Sequence, residues 1–172
     1  IYLTGAREVW EEPAGGAPLP IAHWPIAQSA GLPEGAAEEL AKALKAARRP
    51  LVITSYLGRQ PEAARLLGTL SERYGIAVCE VNPQYVNCPG DHPNHVGYGR
   101  NVLVNEADLI LLLDVDVPWI VSQTAPRDGT RLFHVDCDSH KAGMGFWHFP
   151  AERSWQADSL AALRQLLAQP HA

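Results

Sequence analysis

Two uninterrupted apolar segments of the chain end in acidic residues. Asp114 and Asp116 follow the first segment, and Asp136 and Asp138 end the second. Segments that are apolar at every position are typical of strands buried on both faces of a parallel sheet. Ligands of such sheets bind just beyond the carboxyl ends of the strands, so these four carboxylates lie where a ligand would bind.

The four carboxylates allow more than one interpretation. Asp136 is a candidate acceptor for ribose hydroxyls, with Asp138 in the same segment. Asp114 and Asp116 are two residues apart, and an extended strand would place both side chains on one face. There the two carboxylates could share a proton or a cation. They would also repel a phosphate, and the alternative is a solvated strand end.

The turn after the first predicted strand, at 54–59, contains a single glycine, Gly58. A dinucleotide-binding fold places several glycines here, because the backbone must approach a pyrophosphate at the N-terminus of a helix. Tyr56 and Leu57 would block that approach, whereas Arg59 could still contact an anion. The turn is therefore either a phosphate contact through Gly58 and Arg59 or a plain connection.

Histidines offer a second chemistry, metal binding. His134, Asp136, Asp138 and His140 recur at every second residue, which in one extended strand would align nitrogen and oxygen ligands. We expect the strand to end near Asp138 and His134 to face the core, which argues against a metal. The loop segment 91–95 holds two further histidines around a proline and is an equally weak metal candidate. No serine lies in a G-x-S-x-G nucleophile motif.

The elements that position these residues alternate between strands and helices along the chain. Apolar residues at helical spacing predict an amphipathic helix over 34–48, ended by Pro50, and a second over 61–74, with Gly75 at its C-terminus. The alternation predicts an α/β fold, a doubly wound, mostly parallel sheet with helices on both faces, a Rossmann-like nucleotide-binding variant. The remaining predicted segments are strands at 51–55, 76–81, 109–113, 132–137 and 154–156, a loop over 82–99, a short helix before 109, and a last helix at 159–168 capped by Asp158 or Ser159.

Composition limits the class of protein. The 172 residues carry a net charge of −5 without a basic cluster, which argues against nucleic-acid and anionic-membrane surfaces. Residues 1–33 are rich in proline and glycine and read as a linker, and 34–172 as one domain. Three cysteines without C-x-x-C spacing indicate free structural thiols and a cytoplasmic protein. The first residue is not methionine, which suggests a piece of a longer chain.

Several short motifs, in order, resemble the central domain of thiamine-diphosphate-dependent enzymes of the acetolactate-synthase-like group. Each motif is weak alone, but together they span most of residues 1–168. They are IYLTGAREVW at 1–10, RRPLV from 48, YGIAV at 74–78, DHP at 91–93 with Gly97, EADL at 106–109, and HVDCD at 134–138 with Gly143.

The resemblance implies a six-stranded parallel sheet and a parent enzyme that uses thiamine diphosphate and Mg²⁺. In this family the cofactor-activating glutamate lies in the preceding domain, and a GDG…N motif in the following domain holds the diphosphate and Mg²⁺. Neither is found here, so the resemblance implies that this segment alone is not catalytic. Its partners would be the flanking catalytic domains of the same chain and further copies in a dimer or tetramer.

Relatives with FAD in this domain carry three glycines after the first strand and G-A-R after the third. Here the aligned residues are Ser55, Tyr56 and Leu57, and then 114–116, so an aspartate replaces the arginine. We therefore expect FAD not to bind and the domain to be a scaffold. Trp119 and 146–149 are either contact surface or simply part of the local core. The alternative is a functional module that senses ADP, a CoA-type ligand or a dinucleotide through Arg59, Asp136 and the loop 114–119.

Overall fold

A six-stranded, all-parallel sheet forms the centre of the domain. The computed structural model describes residues 2, 4–13, 15–16, 29–99, 101–145, 147 and 149–170. The strand order is β3-β2-β1-β4-β5-β6. The strands are β1 Pro50–Thr54, β2 Ala77–Glu80, β3 His95–Tyr98, β4 Leu109–Leu113, β5 Arg131–Asp136 and β6 Arg153–Gln156, and the helices are α1 Arg7–Glu11, α2 Ala36–Ala46, α3 Pro61–Tyr74, α4 Asn101–Glu106 and α5 Ser159–Leu167.

The central strands are apolar throughout because helices or loops cover both faces of the sheet. Every residue of β1 and β4 is buried. One face packs on α2, α3 and α5 through Val52, Leu111 and Phe133. The other packs on α4 and the segments around Trp119 and Phe149. The predicted doubly wound α/β fold is confirmed.

The helix boundaries follow from local chemistry. Gly75 ends α3 with a φ of 64°, a conformation that glycine adopts without strain. Asp158 begins α5, and its carboxylate accepts a hydrogen bond of 2.9 Å from the Ala161 N–H, which confirms one of the two predicted caps. Pro61 lies in the first turn of α3. Backbone N–H groups there have no acceptor within the helix, so a proline costs no hydrogen bond.

One strand contradicts the predictions, and one short helix lies in the segment predicted as linker. Strand β3 lies within 82–99, a segment predicted as loop, because an edge strand of four residues, HVGY, has too little apolar pattern to be recognised. Helix α1 lies within the predicted linker, and none of its residues is buried. Residues 17–28 of that predicted linker lie outside the described residues. Among the described helices, none combines the length and apolarity needed to cross a membrane.

Candidate functional site at the carboxyl ends of the strands

The candidate ligand site lies where the strand order reverses. β1 pairs with β4, and the chain continues from β1 to β2 on one side and from β4 to β5 on the other. In open parallel sheets this switch point leaves a crevice at the carboxyl ends, which is the usual binding site. The turn after β1, the residues after β4 and those after β5 therefore meet here.

A polar cluster of Tyr56, Asp116, Asp136 and Lys141, of which Asp136 and Lys141 are buried, fills the part of this crevice next to β5. The Lys141 ammonium lies 2.8 Å from Asp136 Oδ2 and 2.9 Å from Asp116 Oδ1. The Tyr56 hydroxyl accepts from Lys141 and donates to Asp136, both at 2.5 Å. Lys141 is only 3% exposed and Asp136 is fully buried. We call these four residues the strand-end cluster.

The charges of the strand-end cluster stabilise one another. Burial alone would raise the pKa of Asp136, but the His134 ring, Lys141 and Tyr56 outweigh it and hold the pKa well below its ordinary value. Burial and then the bond to Asp136 raise the pKa of Tyr56, so the phenol stays neutral. Burial would lower the pKa of Lys141, yet Asp116 and Asp136 raise it, and the ammonium stays charged.

A second buried ion pair, Arg59 with Asp114, joins three elements. Arg59 Nη1 lies 2.7 Å from Asp114 Oδ2, and the Ser159 hydroxyl at the start of α5 donates to Oδ1 at 2.7 Å. The Asp114 carbonyl accepts from the backbone N–H groups of Ser55 and Tyr56. Although Arg59 and Ser159 favour the carboxylate, burial dominates and raises the pKa of Asp114 to about 6.

Gly58 approaches the loop after β2 too closely for any side chain. A Cβ at this position would lie 2.1 Å from the Val86 carbonyl oxygen. The Gly58 N–H donates to Asn87 Oδ1 at 2.9 Å. The glycine therefore serves the packing of this chain's own loop against the turn.

The comparisons with known proteins agree with this architecture. Residues 37–166 match the family described as thiamine pyrophosphate enzyme, central domain. The chain belongs to this family. No curated protein matches the chain significantly.

Solved structures similar to this central domain are much longer than the chain. The thiamine diphosphate-dependent 4-hydroxybenzoylformate decarboxylase of Rhodococcus jostii RHA1 superposes with a TM-score of 0.69 at 19% identity, over 86% of this chain and 29% of that one. The benzoylformate decarboxylase of Polynucleobacter necessarius superposes with a TM-score of 0.64 at 19% identity, over 93% of this chain and 31% of that one. The chain thus spans about three tenths of these relatives, and at this identity the likeness shows the fold alone.

The central domain brings four of the five predicted site residues into one region. Arg59, Asp114 and Asp136 form ion pairs within the chain, and Gly58 contacts the neighbouring loop. Asp138 differs, since its residue is exposed and its backbone N–H donates to Asp136 Oδ1 at 2.8 Å. Whether any of the five contacts a nucleotide stays a prediction.

The sequence analysis missed Lys141, which forms ion pairs with two of the carboxylates. Lysine is rarely buried, and Lys141 has an unusual φ of 48° in a turn without regular structure. The available indication was electrostatic, because several acidic residues at adjacent strand ends require cations. The single positive charge of Arg59 could not neutralise them all.

The metal hypotheses find no support among the described residues. The ligand atoms of Asp114, Asp136 and Cys137 lie within 4.8 Å of one another, but Arg59 and Lys141 already neutralise the two carboxylates. His134 faces the core as predicted and stacks on Trp147 at 4.9 Å.

The histidines of the loop 91–95 bind separate partners. His92 lies 3.3 Å from the Glu72 carboxylate, and His95 lies 2.9 Å from that of Glu80. The two rings therefore do not share a site.

The structure answers two further questions that the sequence left open. Asp114 and Asp116 do not share a cation, because Asp114 has a φ of 51° that ends the strand alternation, and Asp116 binds Lys141 while Asp114 binds Arg59. Trp119 is not contact surface, since it is 7% exposed and packs edge-on against Phe149 at 5.0 Å. Two residues of the predicted contact segment, 146 and 148, lie outside the described residues.

Substitution of Gly58 by alanine tests the closure of the turn. We expect Gly58→Ala to lower the free energy of unfolding by about 2–3 kcal/mol, because the new methyl group overlaps the Val86 carbonyl. Gly90→Ala, in the loop that contains Val86 but with open space around the added Cβ, is the matched control and should change the free energy of unfolding by less than about 0.5 kcal/mol. Equal stability of the two variants in urea would contradict the packing described above.

The pH dependence of stability tests the burial of Asp114. Because the native pKa of about 6 exceeds the ordinary 3.8, the native state binds the proton more tightly, and this stabilisation is lost as pH rises from about 4 through 6. Asp114→Asn removes this pH-dependent contribution. The free energy of unfolding of the variant, relative to that of wild type, should therefore rise by up to about 3 kcal/mol between pH 4 and pH 7.

Asp108→Asn provides a comparison of opposite sign. Burial would raise the pKa of Asp108, but hydrogen bonds from the backbone N–H groups of Arg48 and Arg49 hold it below its ordinary value. Its contribution is present above pH 4 and lost on acidification, so Asp108→Asn should lose stability relative to wild type as pH rises. Urea unfolding at several pH values measures both slopes. If the difference in the free energy of unfolding between Asp114→Asn and wild type did not change with pH, the buried, proton-binding carboxylate would be contradicted.

Proposed function

We propose that this central domain is a non-catalytic scaffold within a longer thiamine-diphosphate-dependent enzyme of the acetolactate synthase or 2-oxo-acid decarboxylase type. Its role is to position the flanking catalytic domains and to contribute to subunit contacts in a dimer or tetramer. The observation that supports this most directly is the internal closure of the strand-end crevice by Tyr56, Arg59 and Lys141.

The charge of the crevice also disfavours a phosphate-bearing ligand. Three carboxylates there, Asp114, Asp116 and Asp136, face two cations, Arg59 and Lys141. A diphosphate would have to displace Lys141 or Arg59 from its carboxylate, and leaving a buried charge unpaired costs about 3–5 kcal/mol. The described residues therefore do not fit the diphosphate of FAD or of thiamine diphosphate. In our proposal the thiamine diphosphate and Mg²⁺ of the parent bind to the flanking domains.

We infer the chemistry of the parent from the family. Enzymes of this family that act as decarboxylases, lyases or acetolactate synthases cleave or form a carbon–carbon bond next to a carbonyl. Both solved neighbours named above are decarboxylases of aryl 2-oxo acids by their names. A 2-oxo acid is accordingly our proposed substrate class.

An exposed apolar surface supports the role in domain contacts. Val117, Ile120 and Val121 are 44%, 54% and 53% exposed on the segment after β4. They flank Trp119, whose ring is buried in the domain's own core. Contiguous exposed apolar side chains are typical of interaction surfaces.

Activity of the full-length protein tests the assignment. We expect a chain that contains this domain with its flanking domains to consume 2-oxo acids only when thiamine diphosphate and Mg²⁺ are added. The 172-residue segment, assayed in parallel, should consume none. Absence of cofactor-dependent turnover across aliphatic and aryl 2-oxo acids would contradict the proposed parent.

A second candidate function is nucleotide sensing, favoured by one observation. A cavity of about 400 Å³ adjoins the ends of β5 and β6 and is lined by Ser29, Cys137, Gln156 and Asp158. Asp138, which is exposed, lies at the same end of the sheet. A nucleotide could in this case bind beside the strand-end cluster without displacing it.

Ligand-dependent stabilisation separates the two functions. With FAD, ADP, ATP, NAD, CoA and thiamine diphosphate at saturating concentration, we expect no rise in Tm, because a ligand raises Tm only by binding the native state. A rise with an adenine nucleotide that is lost in Asp138→Asn, but kept in the remote Asp91→Asn, would establish the sensing module instead.

A further inference from the structure

A separate cavity lies beyond the carboxyl ends of β2 and β3. Its volume is about 390 Å³, and the loop after β2 and the end of β3 form its walls. This size suits a small molecule or a single long side chain. The residues that line it include Glu80, Gln84, Tyr85, Val86, Cys88 and Tyr98.

Glu80 is a buried carboxylate at this cavity. The residue is 3% exposed. The Asn87 side-chain amide donates to Oε2 at 2.6 Å, and His95 Nε2 lies 2.9 Å from Oε1. One partner is a neutral amide, and the other carries charge only when protonated. Among the described residues, no lysine or arginine forms an ion pair with Glu80.

Such a carboxylate is an unusual feature of a folded protein. Buried charges are normally paired with a cation, because desolvation of an unpaired charge is costly. A carboxylate has room for about four hydrogen bonds, and the strong contacts described occupy only part of that capacity. Glu80 can therefore accept further charge-assisted bonds from a cation that enters the cavity.

The loop that holds Glu80 in place is itself fixed. Asn87 is fully buried, and besides Glu80 its amide donates to the Ser55 carbonyl at 2.9 Å. Its Oδ1 accepts from the Gly58 N–H at 2.9 Å. Since the loop is fastened to the turn after β1, the site is pre-organised, which reduces the entropy lost on binding.

The walls of the cavity suit an organic cation. Tyr85, Val86 and Tyr98 are 50%, 73% and 63% exposed, so two aromatic rings and an aliphatic group border the opening. Aromatic faces attract cations, and the aliphatic group can contact an apolar stem. Burial and then the charge of Glu80 raise the pKa of Cys88 to about 11, so the thiol is neutral and does not compete for a cation.

We propose that this cavity binds a guanidinium or ammonium group on a short apolar stem, with Glu80 as its counter-ion. The inference does not depend on the proposed function, since the cavity is distinct from the strand-end cluster. The cation could belong to a free small molecule or to an arginine side chain of an adjoining domain. The chemistry of recognition is the same in both cases.

An NMR titration of the 172-residue chain with n-butylguanidinium tests the site, with n-butylurea as the uncharged isostere. We expect saturable shifts around Glu80, Tyr85 and Tyr98 at millimolar butylguanidinium and none with butylurea. Glu80→Gln keeps the size of the side chain and should weaken binding about tenfold or more by removing the charge. Glu72→Gln, at an exposed carboxylate on α3, is the matched control and should bind as wild type does.

A second variant keeps the test valid if Glu80→Gln fails to fold. Tyr98 is exposed, so Tyr98→Ala should fold normally and weaken binding about two- to fivefold through loss of the cation–π contact. Equal binding of butylurea, or undiminished binding by Glu80→Gln or Tyr98→Ala, would overturn the proposal.

Two further arms identify the source of the cation. Repeating the titration on the full-length protein distinguishes a free ligand, for which the probe still binds, from a side chain of another domain, which excludes the probe. Arg100 lies outside the described residues, so Arg100→Gln is titrated as well. Binding that appears only in this variant would show that the chain's own arginine occupies the cavity, and would overturn the proposal.

Discussion

The need to neutralise buried carboxylates at the strand ends determines the structure of the whole carboxyl edge of the sheet. Asp114 and Asp136 are almost completely buried, and neither would be ionised there without a cation. Arg59 satisfies the first and Lys141 the second. To reach these positions, the turn after β1 must bend Tyr56 and Arg59 over the sheet, and the turn after β5 must bring Lys141 back into the crevice.

The strand-end cluster distinguishes this edge of the sheet from that of a nucleotide-binding sheet. In a nucleotide-binding sheet, the glycines after the first strand leave space for phosphate groups. Here the phenol of Tyr56 and the ammonium of Lys141 lie within that space and bond to the same carboxylates. The fold needs only the apolar strands and their helices, so the crevice can be filled while the architecture is kept.

The extent to which the sequence predicts each part reflects how local its physical cause is. Strand β4 was predicted with its observed bounds, because a strand that is covered on both faces of the sheet requires an apolar residue at each of its five positions. Strand β3 was missed because its pairing with β2, rather than its own residues, makes it a strand. The acidic half of the site was visible in the sequence, but Lys141 was not, since its burial depends on contacts with residues 85 and 25 positions away. Conversely, Trp119 is an aromatic residue whose burial depends on Phe149, a contact that no local pattern shows.

The closed crevice and the open cavity at Glu80 share one structural cause, the attachment of the loop after β2 to the turn after β1. Ser55 donates its hydroxyl to the Val81 carbonyl, and its own carbonyl accepts from Gln84 N–H at 3.1 Å and from Asn87. This attachment brings the Val86 carbonyl so close to Gly58 that an added Cβ would lie 2.1 Å from its oxygen. The same attachment holds Asn87 against Glu80 and supports the wall that carries Tyr85. A loop that moved away to admit a phosphate would therefore also release the carboxylate from its fixed position, so we expect the two sites to be mutually exclusive in one conformation. The loop that packs against the turn after β1 is therefore also the loop that organises the acidic cavity beside it.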